Sequence, residues 1–206
     1  MQTDLGLTVV TGSDAGVVEE LARLVPAGTP VVTVLPERPA AAGPAVVVPG
    51  TADGWARAAA EVERTWGIPR TVVIAPAPVA RTGLANLAGP GWQSGLDRNL
   101  RIATGAIRAF APGLARRPPA AIVLVTWRYT REPGAVHQAA LAGAIRSFAL
   151  ALAADLGEGG ITVNAVAVAE DDLAAAGPAV QLLSSPDAGY LTADVLTPRS
   201  LPGSRR

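Results

Sequence analysis

The sequence predicts an α/β domain built on a mostly parallel β-sheet, and the clearest evidence lies in residues 120–168. Residues 120–125 form a continuous apolar run rich in β-branched side chains, which is typical of a parallel strand covered on both faces. Residues 134–156 are rich in Ala and Leu without proline, and they predict a helix closed by Gly157. A second apolar strand, Ile161–Val168, follows. A strand, a helix and a strand in this order form the crossover unit of a parallel sheet.

The rest of the chain predicts more elements of the same kind. Thr51 is a suitable N-cap for a helix over residues 51–66, and Gly67 is a suitable end. A long helix begins at Trp92 and should stop or kink near Pro112. The other predicted elements are strands over residues 5–11, 31–35, 45–48 and 71–75, and a helix over residues 16–24. Between the second and third strands, Pro36, Pro39 and Pro44 predict a loop.

Composition limits the possible classes of protein. Half of the 206 residues are apolar, so we expect one domain over residues 1–197 and a flexible C-terminal tail over residues 198–206. Seventeen basic and seventeen acidic residues cancel without clustering, which argues against nucleic acid or an anionic membrane as partner. The N-terminus lacks the plan of a signal peptide, and no apolar run reaches the roughly 18 residues of a membrane span, so we expect a cytoplasmic protein. The chain has no cysteine, which excludes disulfides and thiolate metal sites.

Three stretches carry a resemblance to a known family. Residues 137–170 read HQAALAGAIRSFALALAADLGEGGITVNAVAVAE, residues 92–100 contain W followed by DRNL, and residues 184–192 read SSPDAGYLT. This text resembles the short-chain dehydrogenases/reductases, and in particular the 3-oxoacyl-acyl-carrier-protein reductases. The resemblance implies a Rossmann-like, doubly wound α/β fold with a mostly parallel sheet of about seven strands. It also implies that the substrate-binding segment after Val168 is shortened by several tens of residues.

The catalytic residues of the family are mostly missing at the matching positions. Trp127 stands where the family has its Ser, His137 where it has its Tyr, and Leu141 where it has its Lys. The family's helix Asn is retained as Asn99, and without the Lys we expect it to cap an irregularity of its helix. The resemblance therefore implies a degenerate, non-catalytic member.

The cofactor positions are also altered. Gly12 and Gly16 of the family's glycine turn are kept, but Val18 replaces the third glycine, where helix and sheet should pack most closely. Asp14, Glu19 and Glu20 surround the helix start, and their charges would repel a phosphate. We therefore expect no NADPH or NADH to bind. Other cofactor positions of the family are occupied by Leu35, Pro36, Pro49, Gly50, Ala75, Pro76 and Pro78, with Glu37 and Arg38 just beyond the second strand.

Two residues remain as fallback candidates for acid catalysis. His137 is the only histidine, and an unperturbed imidazole titrates near pH 6.5. Tyr129 lies between Arg128 and Arg131, which could lower its pKa or bind a carboxylate or phosphate. A structural His137 and a solvated loop at Tyr129 are the expected alternatives. A metal site is not expected with one His and no Cys, although Asp171 and Asp172 are adjacent.

Three functions stay open at this stage. The first is a non-catalytic subunit that pairs with an active ketoreductase, as a heterodimer or heterotetramer, in fatty-acid or polyketide synthesis. The second is an atypical NAD(P)H-dependent reductase that uses His137 or Tyr129. A homo-oligomeric protein that binds some other small ligand in the cofactor cleft is the third. For the first function, the predicted contact lies on the two long helices, at Asn99, Ala139, Ala142, Gly143, Arg146, Phe148 and Leu150.

Overall fold

A central sheet of seven parallel strands organises the molecule, in the order β3-β2-β1-β4-β5-β6-β7. The computed structural model describes residues 6–36, 43–48, 51–87, 90–128 and 133–200. The strands are β1 Thr8–Gly12, β2 Val31–Leu35, β3 Ala45–Val47, β4 Thr71–Ala75, β5 Ala120–Trp127, β6 Ile161–Val168 and β7 Val195–Leu196. The predicted α/β class, with a parallel sheet of about seven strands, is confirmed.

The continuous apolar strands arise because both faces of the sheet are covered. Along β5, Ile122 and Leu124 join one core, whereas Val123 and Val125 join the other. The first core packs under α2 Ala52–Trp66, α3 Pro90–Leu114 and α4 Val136–Leu156. The second packs under α1 Ala15–Leu24 and α5 Ala176–Ser184. Alternate side chains of one strand therefore serve opposite layers of helices.

Several predicted helix ends agree with the structure. Thr51 Oγ1 accepts a hydrogen bond from Gly54 N–H at 3.1 Å, and Gly67 with φ of 96° follows the last residue of α2. Pro112 lies in the last turn of α3, which ends at Leu114, close to the predicted stop near Pro112. Proline removes the hydrogen bond to the carbonyl four residues earlier. Because Pro112 is exposed and lies in the last turn, water can satisfy that carbonyl.

The connections after β6 and at the end of the chain are short. Residues 169–175 join β6 to α5 and include a single 3₁₀ turn, Leu173–Ala175. In the described part of the predicted tail, Ser200 donates from its N–H to Asp172 at 3.0 Å and also from its hydroxyl. Residues 201–206 lie outside the described residues, as does most of the predicted loop between β2 and β3.

Among the residues that the structure describes, one helix is long and apolar enough to span a membrane by length and composition alone. It covers Val136–Gly159. Its residues Leu141, Ile145 and Ala149 belong to the first core and face the sheet. This helix therefore has the packing of a core helix in an α/β domain.

Candidate functional site

The turn after β1 is filled by side chains. Gly12 is required there, because a Cβ at this position would lie 2.8 Å from Ala75 O and 2.9 Å from Val18 Cγ2. Val18 is fully buried and so fills the space above Gly12. At the start of α1, Asp14 Oδ1 accepts the Val17 N–H at 3.0 Å. The N-terminus of α1 thus carries a carboxylate of its own, and this charge opposes a phosphate at the same place.

Trp127 and Leu141 are built into opposite cores. Trp127 ends β5, is 6% exposed and packs in the core under α1 and α5. Its Nε1–H has no hydrogen-bond acceptor among the described residues. Leu141 lies in the first turns of α4, fully within the core under α2, α3 and α4. Neither side chain offers a group that can donate or accept a proton in catalysis.

His137 is packed between α4 and α3. Its ring is 3% exposed, lies 4.9 Å from the Trp92 ring and meets α3 at Gly95, where a Cβ would come within 2.7 Å of Nε2. Burial lowers the pKa of His137 below its usual 6.5, and a polar contact with the backbone of Trp92 acts in the opposite direction. Nε2 has no hydrogen-bond partner among the residues that are described. The environment therefore favours a neutral, packed imidazole.

Asn99 links α3 to the segment after β4. Its Oδ1 accepts the Ala77 N–H at 2.7 Å, and its Nδ2 donates to Gly95 O at 2.9 Å, one turn back in the helix. Sequence reasoning assigned Asn99 to an irregularity of its own helix and to the partner contact, and it missed Ala77. The signal lies in the prolines at 76 and 78, which leave the N–H of Ala77 between two residues without one.

The candidate residues are divided between two cavities. His137 and Asn99 line a cavity of about 220 Å³ together with Trp92 and Arg98. Trp127 instead lines a cleft of about 440 Å³, and the segment of Pro78 and Val79 borders both. Trp127 and His137 therefore border different cavities. The fallback candidate Tyr129 and its neighbour Arg131 lie outside the described residues.

The larger cleft, here called the acidic cleft, lies at the carboxyl ends of the strands. Its charged and polar lining consists of Glu20, Arg81, Trp127, Gln138, Glu170 and Asp171. It sits beside the reversal of strand order between β1 and β4, where ligands of doubly wound sheets bind. Sequence reasoning missed Gln138 and Glu170, although Glu170 follows the carboxyl end of β6 directly. Across the described residues, no group of three or more His, Cys, Asp or Glu side chains is placed to hold a metal ion.

Comparisons with known proteins agree on the architecture. No family model matches the sequence. An NADPH-bound short-chain oxidoreductase from Pseudomonas aeruginosa PAO1, with an atypical catalytic center, superposes with a TM-score of 0.79 at 20% identity, over 100% of this chain and 99% of that one. The ligand-free aldohexose dehydrogenase of Thermoplasma acidophilum superposes with a TM-score of 0.78 at 17% identity, over 95% and 93% of the two chains. The protein has the short-chain dehydrogenase/reductase fold.

Within this fold, the predicted interface residues fall on different sides of α3 and α4. Ala139 and Gly143 are partly exposed, and a Cβ added at Gly143 would meet no atom within 4 Å. Leu150 is 44% exposed, and Val136, at the start of α4, is 42% exposed. The partly buried pair Arg146 and Phe148 flanks this face. We use the name α4 face for Val136, Ala139, Gly143, Ser147 and Leu150.

Two predicted interface residues need correction. Asn99 and Ala142 are both buried inside the subunit, so neither can contact a partner. Asn99 faces Ala77 rather than solvent. Ala142 lies next to Gly143 in the sequence, but successive residues of a helix point about 100° apart, which turns Ala142 toward the interior.

Proposed function

We propose that this protein is a non-catalytic subunit with the short-chain reductase fold, which pairs through α3 and α4 with an active ketoreductase homologue. The observation that carries the proposal is the burial of Trp127, His137 and Leu141. These positions match the Ser, Tyr and Lys of the family. Here Trp127 and Leu141 belong to the two cores, and His137 packs against Trp92 and Gly95 of α3. By likeness to acyl-carrier-protein reductases, the partner would reduce a β-ketoacyl thioester in fatty-acid or polyketide synthesis.

Proton transfer at this site lacks a suitable group. A general acid needs a tuned pKa and access to substrate. His137 is buried, and its pKa is lowered. At neutral pH the uncharged form of the imidazole is therefore favoured. Leu141, one turn further along α4, supplies no charge to tune it. This arrangement supports a structural role for the helix segment.

The turn after β1 fits a dinucleotide poorly. Val18 fills the volume above Gly12, and Asp14 places a carboxylate on the N-terminus of α1. A pyrophosphate needs close backbone approach and free N–H groups at that end. Both features support the proposal that the subunit acts without a bound nicotinamide cofactor.

The exposed side of α4 supports the pairing. Small and apolar side chains line the α4 face. A helix on the surface of a globular protein usually presents charged and polar residues to water instead. Val136 and Leu150 are large apolar side chains left accessible on the same helix. Together with the small residues between them, they leave one side of α4 without charged side chains, which suits a helix contact.

The experiment is co-expression with Tyr-x-x-x-Lys reductases of the same genome, tested pair by pair. We expect one of them to co-elute with this chain and to gain solubility or thioester reductase activity. Gly143→Arg should abolish co-elution, because its side chain would enter the contact. Thr65→Arg, at an exposed position of α2, is the matched control and should leave the complex intact. Full activity of every reductase without this chain, and no co-elution, would refute the proposal.

A second function is an atypical NADPH-dependent reductase. The observation in its favour is the Pseudomonas aeruginosa oxidoreductase, which has the same fold, binds NADPH and has an atypical catalytic center. At 20% identity this likeness extends to the fold alone. Calorimetric titration of the purified chain with NADPH separates the two functions. Binding in the micromolar range, with turnover of a generic β-ketoacyl thioester, would establish the reductase and overturn the first proposal.

A further inference from the structure

We propose that the groove between α2 and α3 receives a carboxylate side chain from a helix of the partner subunit. The groove measures about 550 Å³ and is lined by the start of α2 and the middle of α3. The inference rests on the proposed pairing, and it adds the chemistry of the surface that this chain would meet.

Small side chains leave the groove open. Ala52 and Ala56 lie one turn apart on α2 and are exposed, and Gly105 and Ala109 lie one turn apart on α3 and are partly exposed. Trp55 forms the floor, because its side chain is 4% exposed and packs against Gly105. The result is a depression with apolar walls, into which the side chains of another helix can pack.

One cation in the groove has no partner within the subunit. The charged residues of the lining are Asp97, Arg101 and Arg108, and Asp97 accepts from Arg101 at 2.7 Å. Arg108 is exposed and forms no ion pair or hydrogen bond among the described residues. The groove therefore carries one positive charge in excess, which favours an acidic group on the partner.

Trp55 adds a hydrogen-bond donor beside this cation. Its Nε1 lies against Gly105, where a Cβ would come within 2.5 Å. Gly105 lines the groove one turn before Arg108. The Trp55 N–H forms no hydrogen bond within the described part of the chain, and it is not one of the enclosed polar atoms there. A carboxylate has oxygens for both donors, whereas an apolar side chain would leave both unpaired.

The size of a stable contact explains why the partner should reach the groove. The α4 face is about 21 Å long and about 10 Å wide, on the order of 200 Å², whereas a stable contact takes about 800 Å² from each subunit. α3 lies between the other two helices, since it meets Trp55 of α2 at Gly105 and His137 of α4 at Gly95. The three helices form one layer over the first core. A partner that covers enough surface therefore extends from α4 across α3 to the groove.

Charge reversal at Arg108 tests the inference in the complex with a co-eluting reductase. Arg108→Glu should weaken the affinity, measured by calorimetry, at least about tenfold, because two carboxylates would then oppose each other. Arg108→Lys keeps the charge and should stay within about threefold of the wild type. Arg199→Glu makes the same change of charge at an exposed position after β7 and is the matched control. Equal affinities of Arg108→Glu and the wild type would overturn the inference and leave the pairing intact.

A helical peptide decides the question if no reductase co-elutes, a result that refutes the pairing itself. The probe is an Ala- and Leu-based peptide of about 14 residues with Glu at every fourth position, long enough to span the groove. We expect it to shift the Trp55 indole Nε1–H resonance of the full chain at millimolar concentration. Its counterpart with Gln should bind at least about fivefold more weakly. Absent or equal binding of the two peptides would overturn the inference. Self-association of this chain that Arg108→Glu abolishes would also overturn it, because the groove would then belong to a second copy.

Discussion

Asn99 illustrates how a single polar residue can hold two elements together. The segment after β4 cannot form regular hydrogen bonds, because prolines lie on both sides of Ala77. Asn99 supplies both an acceptor and a donor there, to Ala77 N–H and, at 3.5 Å, to Ala77 O. The Asn99 amide thus forms with Ala77 the hydrogen bonds that a neighbouring backbone would otherwise supply. Both residues line the cavity of about 220 Å³.

Removal of this amide should destabilise the fold. Asn99→Ala leaves the buried Ala77 N–H without an acceptor, which we expect to lower the free energy of unfolding by about 2 kcal/mol. Asn86→Ala, at an exposed position on the 3₁₀ turn after β4, is the control and should change it by less than about 0.5 kcal/mol. Urea denaturation followed by circular dichroism measures both. Equal stabilities of the two variants would contradict the role given to Asn99.

His137 should make stability depend on pH in a defined direction. Its folded pKa is lowered by burial, so near and below pH 6.5 the unfolded chain binds a proton that the folded chain does not. The free energy of unfolding should therefore fall as the pH drops below about 6.5, by up to about 1.4 kcal/mol per pH unit from this group. Above that range the contribution of His137 is constant.

The comparison with His137→Leu isolates this effect. The variant lacks the titrating group, whereas carboxylates that titrate at lower pH are common to both proteins and cancel in the difference. Urea unfolding at several pH values between about 5 and 8 should give a shallower pH dependence for the variant. Parallel curves would show that His137 is not desolvated in the folded protein.

At the residue scale, sequence reasoning rests on the identity of single residues. Trp127, His137 and Leu141 differ from the family's Ser, Tyr and Lys, and the expectation that they do not reproduce its chemistry stays a prediction. The contact of His137 with Gly95 and the bond of Asn99 to Ala77 depend on how α3 packs against its neighbours. Such long-range contacts leave no local pattern in the chain.

Two of the glycines in the helices, Gly105 and Gly143, have opposite surroundings. Gly105 of α3 faces α2, where a Cβ would lie 2.5 Å from Trp55 Cδ1 and Nε1. Gly143 of α4 faces open space. In a helix interior, glycine costs up to about 1 kcal/mol relative to alanine. Gly105 thus meets a requirement of packing inside the subunit, whereas the subunit alone gives no reason for Gly143.

This difference predicts opposite effects of one substitution. Gly143→Ala should raise the stability of the isolated chain by about 0.5–1 kcal/mol, because helix propensity improves and nothing is displaced. Gly105→Ala should lower it by about 1–3 kcal/mol, because the methyl group overlaps Trp55. Thermal unfolding of the two variants against the wild type measures both signs. A destabilised Gly143→Ala would mean that α4 packs more tightly in the subunit than the structure indicates.

At the element scale, the apolar pattern predicted most of the architecture. Runs without alternation identified the buried strands, and β2, β4 and β6 have the predicted bounds. The pattern could not orient α4, because a helix that is apolar on every side gives no indication of which side meets the sheet. Ala142 and Gly143 were therefore assigned to the same surface, and only the packed structure separates them.

For the whole molecule, restoring two catalytic side chains should not restore catalysis. His137→Tyr with Leu141→Lys would place the family's Tyr and Lys on α4. The buried position of Leu141 would then hold a charge in an apolar core, which lowers stability by several kcal/mol. The turn at Asp14 and Val18 would be unchanged. We expect no reduction of a generic β-ketoacyl thioester with NADPH, and measurable turnover would show that less of the site is lost.

Assembly is the property on which the proposed function depends. If the α4 face is buried against a homologue, the contact should be two-fold or pseudo-two-fold and cover about 2,000 Å² or more in total.

Because the chain has no cysteine, a single introduced thiol reports on one position. Ser147→Cys lies at an exposed position of the α4 face, and Thr65→Cys at an exposed position of α2. In the complex, maleimide labelling should slow about tenfold or more at residue 147 and stay unchanged at residue 65. Light scattering of the same samples gives the stoichiometry. Three results together would refute the proposal that α4 is an assembly surface. The chain would be a monodisperse monomer, residue 147 would be labelled at the same rate with and without the reductase, and the reductase would be active without this chain.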